Sequence, residues 1–165
     1  MPDEVELRRA SPDSGCPGPR HHGFTLIELV VAAAIVLTVA AILVPNLRSA
    51  LEAARIARAV ADIRTLESEI GAYELATGSL PRTLADLGRS SRDPWGAPYQ
   101  YLNFAEVKGK GQMRKDRFLV PLNTAYDLYS VGKDGKSAPA LTAGVSQDDI
   151  IRANDGAYVG LASQY

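Results

Sequence analysis

The longest hydrophobic segment of this chain is an apolar run from Phe24 to Val44. Only three of its residues are polar: Thr25, Glu28 and Thr38. Because an α-helix rises about 1.5 Å per residue, a helix over this segment would be about 31 Å long, close to the thickness of a bilayer hydrocarbon core. Pro45 ends the run. The pattern therefore predicts a transmembrane helix over residues 24–45.

The hydrophobic pattern changes after Pro45. Since proline removes a helical hydrogen bond and clashes with the preceding turn, we expect a bend or local melting there. From Leu47 to about Ala76, apolar residues recur every three or four positions with arginine and glutamate between them, which is typical of an amphipathic helix. Gly78 and Pro81 should end this helix. A coiled-coil seam is the alternative interpretation of the same stripe.

Short segments beyond residue 80 predict a small β-rich region. Spaced leucines favour a helical turn over residues 80–87. Strands are expected after Trp95, over residues 118–122 and over residues 125–131, where apolar and polar side chains alternate. Residues 146–149 (SQDD) also have the composition of a helix capping box, and Gly156 would end the short helix that the box begins.

Composition and charge narrow the possible functions. The 165-residue chain has a formal net charge of -1, so no overall charge attracts it to nucleic acid. Three of its 18 basic and four of its 19 acidic residues lie in residues 1–23, which leaves 15 of each beyond them. Cys16, His21 and His22 lie there too and are the only cysteine and histidines. Residues 24–165 therefore offer no thiol or imidazole for catalysis, and we expect no enzyme.

Residues 108–117 form a basic stretch with five lysine or arginine side chains in ten residues. Such side chains bind phosphates without reading the base sequence, so DNA binding is one interpretation. No aromatic residue interrupts the stretch, so nothing in it would stack on bases. A solvated hairpin tip is the interpretation that we favour, and nucleic acid is not an expected partner.

Glu28 is the one charged residue inside the apolar run. A carboxylate in a membrane helix costs free energy unless it stays near an interface or pairs with a cation, so Glu28 is a candidate functional residue. Residues 23–28 (GFTLIE), with the apolar helix behind them, resemble the signal of the superfamily of type IV pilins and type II secretion pseudopilins.

The resemblance implies that a prepilin peptidase cleaves between Gly23 and Phe24 and methylates the new amine of Phe24. It also implies a partner for Glu28, which is the Phe24 ammonium of the next subunit in a helical homo-oligomeric fibre. Three other interpretations of the N-terminal region compete. The first is an ordinary secretory signal, but its apolar stretch would be shorter, at about 7–15 residues. The second is a twin-arginine signal, but the pair Arg8 and Arg9 lies far from the apolar run. The third is a plain signal anchor, which would need no Glu28.

Two further motifs resemble the major-pseudopilin group of that superfamily, residues 93–96 (DPWG) and 127–135 (DLYSVGKDG). The resemblance implies an α+β fold, in which a long N-terminal α-helix, transmembrane in its first half and amphipathic in its second, packs on a small antiparallel β-sheet head. Many type IV pilins of the superfamily staple a C-terminal loop with a disulfide. The absence of cysteine beyond residue 23 therefore favours the pseudopilins.

The same resemblance implies a structural calcium site after the second motif. Its ligands would be the Asp134 side chain, the Val131 carbonyl and a downstream carboxylate from Asp148 or Asp149. Calcium takes about six to eight oxygen ligands, which carboxylates, carbonyls and water can supply. Residues 137–145 contain no carboxylate, so calcium binding and a simple helix cap are both left open.

The resemblance thus implies a non-enzymatic structural subunit with a cleaved leader (1–23), a span (24–45) and a periplasmic head (46–165). A cytoplasmic N-terminus and anchoring in the bacterial inner membrane agree with Arg20 just before the span. The subunit would polymerise into a periplasmic pseudopilus that drives protein secretion. Its partners would be the prepilin peptidase, an inner-membrane assembly platform with a cytoplasmic ATPase, and minor pseudopilins. The alternatives are a type IV pilin for adhesion, twitching or DNA uptake, and a membrane-tethered periplasmic binding module.

Overall fold

A computed structural model of the chain describes residues 23–88 and 92–165. The chain divides into two compact units, residues 1–43 and 44–165. One long helix, α1 (Leu26–Thr77), is followed by four strands: β1 (Gln100–Asn103), β2 (Tyr126–Ser130), β3 (Ile150–Ala153) and β4 (Tyr158–Leu161). Short 3₁₀ turns lie before, between and after the strands, at Leu84–Leu87, Phe104–Glu106, Gly144–Ser146, Asn154–Gly156 and Ala162–Gln164.

The first part of α1 is the apolar run, and its large hydrophobic side chains are exposed. By length and composition alone, α1 contains a stretch able to cross a membrane. The Thr38 hydroxyl donates to the Ala34 carbonyl at 2.8 Å, so this polar group is satisfied inside the helix. The local melting predicted at Pro45 is wrong, because α1 continues through that residue. Proline deletes a single backbone donor, and Leu43 and Leu47, two residues away on each side, favour helix.

The second part of α1 buries one face. Ala59, Ile63, Leu66 and Ile70, spaced by four, three and four residues, are its fully buried positions. They form one hydrophobic cluster with side chains from the sheet and the segment before it: Tyr99, Tyr126, Leu128 and Ile150. The amphipathic stripe is therefore the helix side of a core within residues 44–165.

The four strands form an antiparallel sheet in the order β1-β2-β3-β4. Pairing of Tyr101 with Leu128 aligns the first two strands, and pairing of Ser130 with Ile150 aligns the middle two. The predicted α+β fold, a long helix packed on a small antiparallel sheet, is confirmed.

Two local predictions are wrong. Residues 116–119 form a tight turn, in which the Asp116 and Leu119 backbones exchange both hydrogen bonds, so residues 118–122 make no strand there and Phe118 is fully exposed. The capping-box helix is also absent, because β3 follows residues 146–149 directly. Ile150 and Ile151 are buried in two different clusters, and this alternation between two faces requires a strand.

Alkaline pH should unfold residues 44–165 cooperatively. Burial raises the pKa of five tyrosines: Tyr99, Tyr101, Tyr126, Tyr129 and Tyr158. Because their folded-state pKa values exceed the unfolded value of about 10, the stability that they contribute is complete below pH 10 and is lost as pH rises toward the folded values. Tyrosinate absorbance near 295 nm should therefore appear together with loss of circular dichroism. Ionisation of these five tyrosines near pH 10 with the fold intact would contradict this.

Candidate functional site

The junction between Gly23 and Phe24 lies in non-helical chain just before α1. The Thr25 hydroxyl accepts a hydrogen bond from the Glu28 N–H at 3.3 Å, and the Thr25 carbonyl accepts one from the Leu29 N–H at 3.2 Å. Thr25 therefore caps the helix in the manner typical of threonine. The first turn is held by residues that follow the junction.

The junction is accessible. Phe24 is 82% exposed, and a Cβ added to Gly23 would meet no atom within 4 Å. An exposed, non-helical backbone is a form that a peptidase groove can accept. The fold of this chain does not itself require glycine at position 23.

Glu28 lies in the first turn of α1 and is exposed. The helix N-terminus favours a negative charge there. Glu28 makes no ion pair with any residue in the described ranges 23–88 and 92–165. In an apolar medium its charge would need a cation from another molecule or from a chain end.

The predicted calcium residues follow β2. The Asp148 Oδ2 atom accepts hydrogen bonds from the backbone N–H groups of Lys133 and Asp134, at 2.8 and 2.9 Å. Glycine is required at position 132 next to this contact, because its φ is +65° and a Cβ there would overlap the Asp148 carbonyl oxygen. The Asp134 Oδ1 atom accepts from the Lys136 N–H at 2.7 Å. Asp148 therefore stabilises the turn after β2 through these two hydrogen bonds.

Asp149 points to a different partner. It is fully buried, and its Oδ2 atom accepts from Arg114 Nη2 at 2.5 Å and from the Ser137 hydroxyl at 2.6 Å. Burial raises the pKa of Asp149 above the usual carboxyl value, while the bonds from Ser137 and Arg114 oppose that rise. The basic stretch that contains Arg114 is predicted to be a solvated tip, whereas the Arg114 side chain is buried inside the head.

The carboxylates predicted to bind calcium have hydrogen-bonding partners within the head. In the described part of the chain, no three Asp, Glu, His or Cys side chains are grouped so as to hold a metal. Asp148 is occupied by backbone N–H groups and Asp149 by a guanidinium. That guanidinium would repel a divalent cation placed on the same carboxylate. Asp134, Asp148 and Asp149 thus take part in hydrogen-bonded contacts, and the calcium site predicted from these residues and the Val131 carbonyl stays a prediction.

A second buried arginine ties the helix to the sheet. Arg152 of β3 donates to Glu67 Oε1 of α1 at 2.8 Å and to Asn123 Oδ1 at 3.2 Å, and its guanidinium lies 4.3 Å from the centroid of the Tyr126 ring. Sequence reasoning missed Arg114 and Arg152 alike, because their carboxylate partners lie 35 and 85 residues away. No local motif reports such a pairing.

Comparison with known proteins gives a consistent result. Residues 18–44 match the family described as the prokaryotic N-terminal methylation motif. The chain is 32% identical over 143 residues to the type II secretion system core protein G of Pectobacterium carotovorum subsp. carotovorum, covering 73% of this chain and 81% of that protein. The protein of the same name from Dickeya chrysanthemi is 34% identical, and the match covers 71% of this chain and 73% of that protein. The one from Escherichia coli K12 is 30% identical, and the match covers 79% of this chain and 90% of that protein. No solved structure gives a significant match.

Replacing Asp148 with alanine should destabilise the head more than replacing Asp134. Asp148 accepts two backbone N–H groups from another part of the chain, so we expect a loss of about 1–2 kcal/mol in the free energy of unfolding. Asp134 bonds only the N–H two residues on, so Asp134→Ala should cost under about 0.5 kcal/mol. Urea unfolding of both variants in detergent measures this. Equal losses would contradict the assignment.

Proposed function

We propose a function for this chain from its family, since it belongs to the family of the type II secretion system core protein G. The chain is a pseudopilin subunit of that secretion system. We infer further that it polymerises from the inner membrane into a pseudopilus that drives protein secretion. The observation that carries this inference is the methylation motif over residues 18–44, which includes an exposed junction in front of a capped apolar helix.

Processing is the first step of the proposed function. A prepilin peptidase would cut the Gly23–Phe24 bond and methylate the Phe24 amine. Support comes from the non-helical chain at this junction and from the exposure of Phe24. Because Thr25 supplies the helix cap, α1 keeps its first turn after residues 1–23 are removed.

Assembly is the second step. We infer that the Glu28 carboxylate pairs with the Phe24 ammonium of the neighbouring subunit, while the apolar parts of the α1 helices pack in the centre of the fibre. Support comes from the lack of an ion-pair partner for Glu28 among the described residues. Two charges that are costly apart in an apolar medium lose much of that cost when they pair, so the contact sets the axial register of the subunits.

Topology and partners complete the proposal. Arg20 next to the span favours a cytoplasmic N-terminus, which puts residues 46–165 in the periplasm. An inner-membrane platform with its cytoplasmic ATPase would extract subunits, and minor pseudopilins would join the fibre. The role is structural and non-enzymatic. A surface type IV pilin and a tethered binding module are the competing functions, and only the binding module would work without cleavage.

Replacing Gly23 with valine should block processing, because a bulky Cβ hinders the backbone in a peptidase groove. The open space around Gly23 means that the variant itself should fold normally. In cells with a prepilin peptidase, intact-mass measurement should find wild type beginning at Phe24 and Gly23→Val retaining residues 1–23. Gly15→Val, a change of the same kind outside the matched motif, should be processed. A wild-type chain still carrying residues 1–23 would contradict the proposal.

Replacing Glu28 with leucine should improve membrane insertion, since the desolvation cost of the carboxylate disappears. Fibre yield should nevertheless fall below about a tenth of wild type, because the contact with the Phe24 ammonium is lost. Sheared fibres can be quantified by immunoblotting and electron microscopy. Thr38→Val is the matched control, because that hydroxyl bonds only within its own helix and its loss should leave fibres intact. Normal fibres from Glu28→Leu would refute the register role.

A further inference from the structure

Arg114 is a buried cation in a basic stretch that also contains exposed charges. It is only 2% exposed, whereas Arg117, three residues on, is exposed. A guanidinium taken out of water is costly unless its charge is balanced and its donors are used. The position of Arg114 therefore has to be explained by its partners.

The Arg114 side chain contacts several separate segments of the head. Nη1 donates to the Ser137 hydroxyl and, at 2.9 Å, to the Ala138 carbonyl. Nη2 donates to Asp149 Oδ2, just before β3. The guanidinium carbon lies 4.1 Å from the centroid of the Tyr129 ring in β2, within the range of a cation–π contact.

The backbone of Arg114 is fixed as well. Its N–H donates to Asp127 Oδ2 at 2.6 Å, and its carbonyl accepts from the Leu122 N–H at 3.0 Å. Asp127 belongs to β2, the strand that also carries Tyr129. The side chain is thus placed by the sheet before it reaches the loop, which reduces the entropy lost in forming the contacts.

We propose that the Arg114 guanidinium is the built-in cation of this head and holds residues 131–149 in place of a calcium ion. A calcium ion would draw carboxylate and carbonyl oxygens together, and Arg114 does so with N–H donors to Asp149, Ser137 and Ala138. The planar fork of arginine suits several fixed acceptors, which the single ammonium of lysine does not match. Asp148 completes the loop by accepting the N–H groups of Lys133 and Asp134.

Two buried atoms of this cluster, Asp149 Oδ1 and Arg114 Nε, have no protein hydrogen-bond partner among the described residues. A metal on Asp149 Oδ1 would share one carboxylate with the guanidinium, and their like charges would repel strongly in a buried setting. Neutral water, by contrast, can serve both a buried acceptor and a buried donor. The unpaired oxygen therefore does not favour a divalent cation.

The first test replaces Arg114 with glutamine in the full-length protein in detergent. Because Asp149 would be left as an unpaired buried carboxylate, the melting temperature should fall by about 10 °C. Arg117→Gln removes an exposed charge from the same stretch and should change the melting temperature by less than about 1 °C. Similar melting temperatures for the two variants would overturn the proposal.

The second test removes both charges. The double variant Arg114→Met with Asp149→Leu leaves neither partner unpaired, so it should melt at least about 5 °C above Arg114→Met alone. This comparison remains decisive if Arg114→Gln fails to fold, because a double variant no more stable than Arg114→Met would overturn the proposal.

The third test measures whether calcium stabilises the wild-type protein. Wild-type protein should melt within about 1 °C in millimolar calcium and in excess chelator, since a ligand stabilises a fold only through a site on it. A wild-type melting temperature higher by about 5 °C or more in calcium would overturn the proposal and restore the metal site.

Discussion

A charge removed from water needs a counter-charge or a full set of hydrogen bonds, and the head of this protein depends on that constraint. Arg152 connects β3 to Glu67 of α1, and Arg114 connects the segment before β2 to Asp149 before β3. Each guanidinium also lies against a tyrosine ring of β2. Removing one partner of either pair would leave a buried charge without compensation, so these contacts specify which segments lie together.

Glu28 is subject to the same constraint, but no residue of the described chain supplies its counter-charge. Its carboxylate lies at the start of an apolar helix, and its proposed counter-charge is created only by cleavage and delivered only by another subunit. On this proposal, a chemical requirement that the head satisfies internally becomes, near the start of α1, a requirement for assembly. One electrostatic rule would then govern both the folding of the head and polymerisation.

Sequence reasoning predicted what is local. The helical stripe through Ile63 and Ile70, the strand over residues 126–130 and the glycine–phenylalanine junction are all visible within a few residues of sequence. The strand β3 was missed because Ser146 and Asp149 match a capping pattern, while burial of Ile150 and Ile151 on two faces decides the conformation. The burial of Arg114 was missed because nothing near it in the sequence distinguishes it from exposed basic residues of the same stretch, such as Arg117.

The Thr25 cap has a consequence for the order of events in biogenesis. No described hydrogen bond of α1 involves Gly23, so removing the leader changes none of the described contacts that hold the helix or the head. The residues that form the first described turn of α1 all follow the proposed cleavage junction, so the precursor and the proposed mature subunit have them in common. The proposed cleavage would instead add a charged amine at Phe24, which alters what the subunit can join.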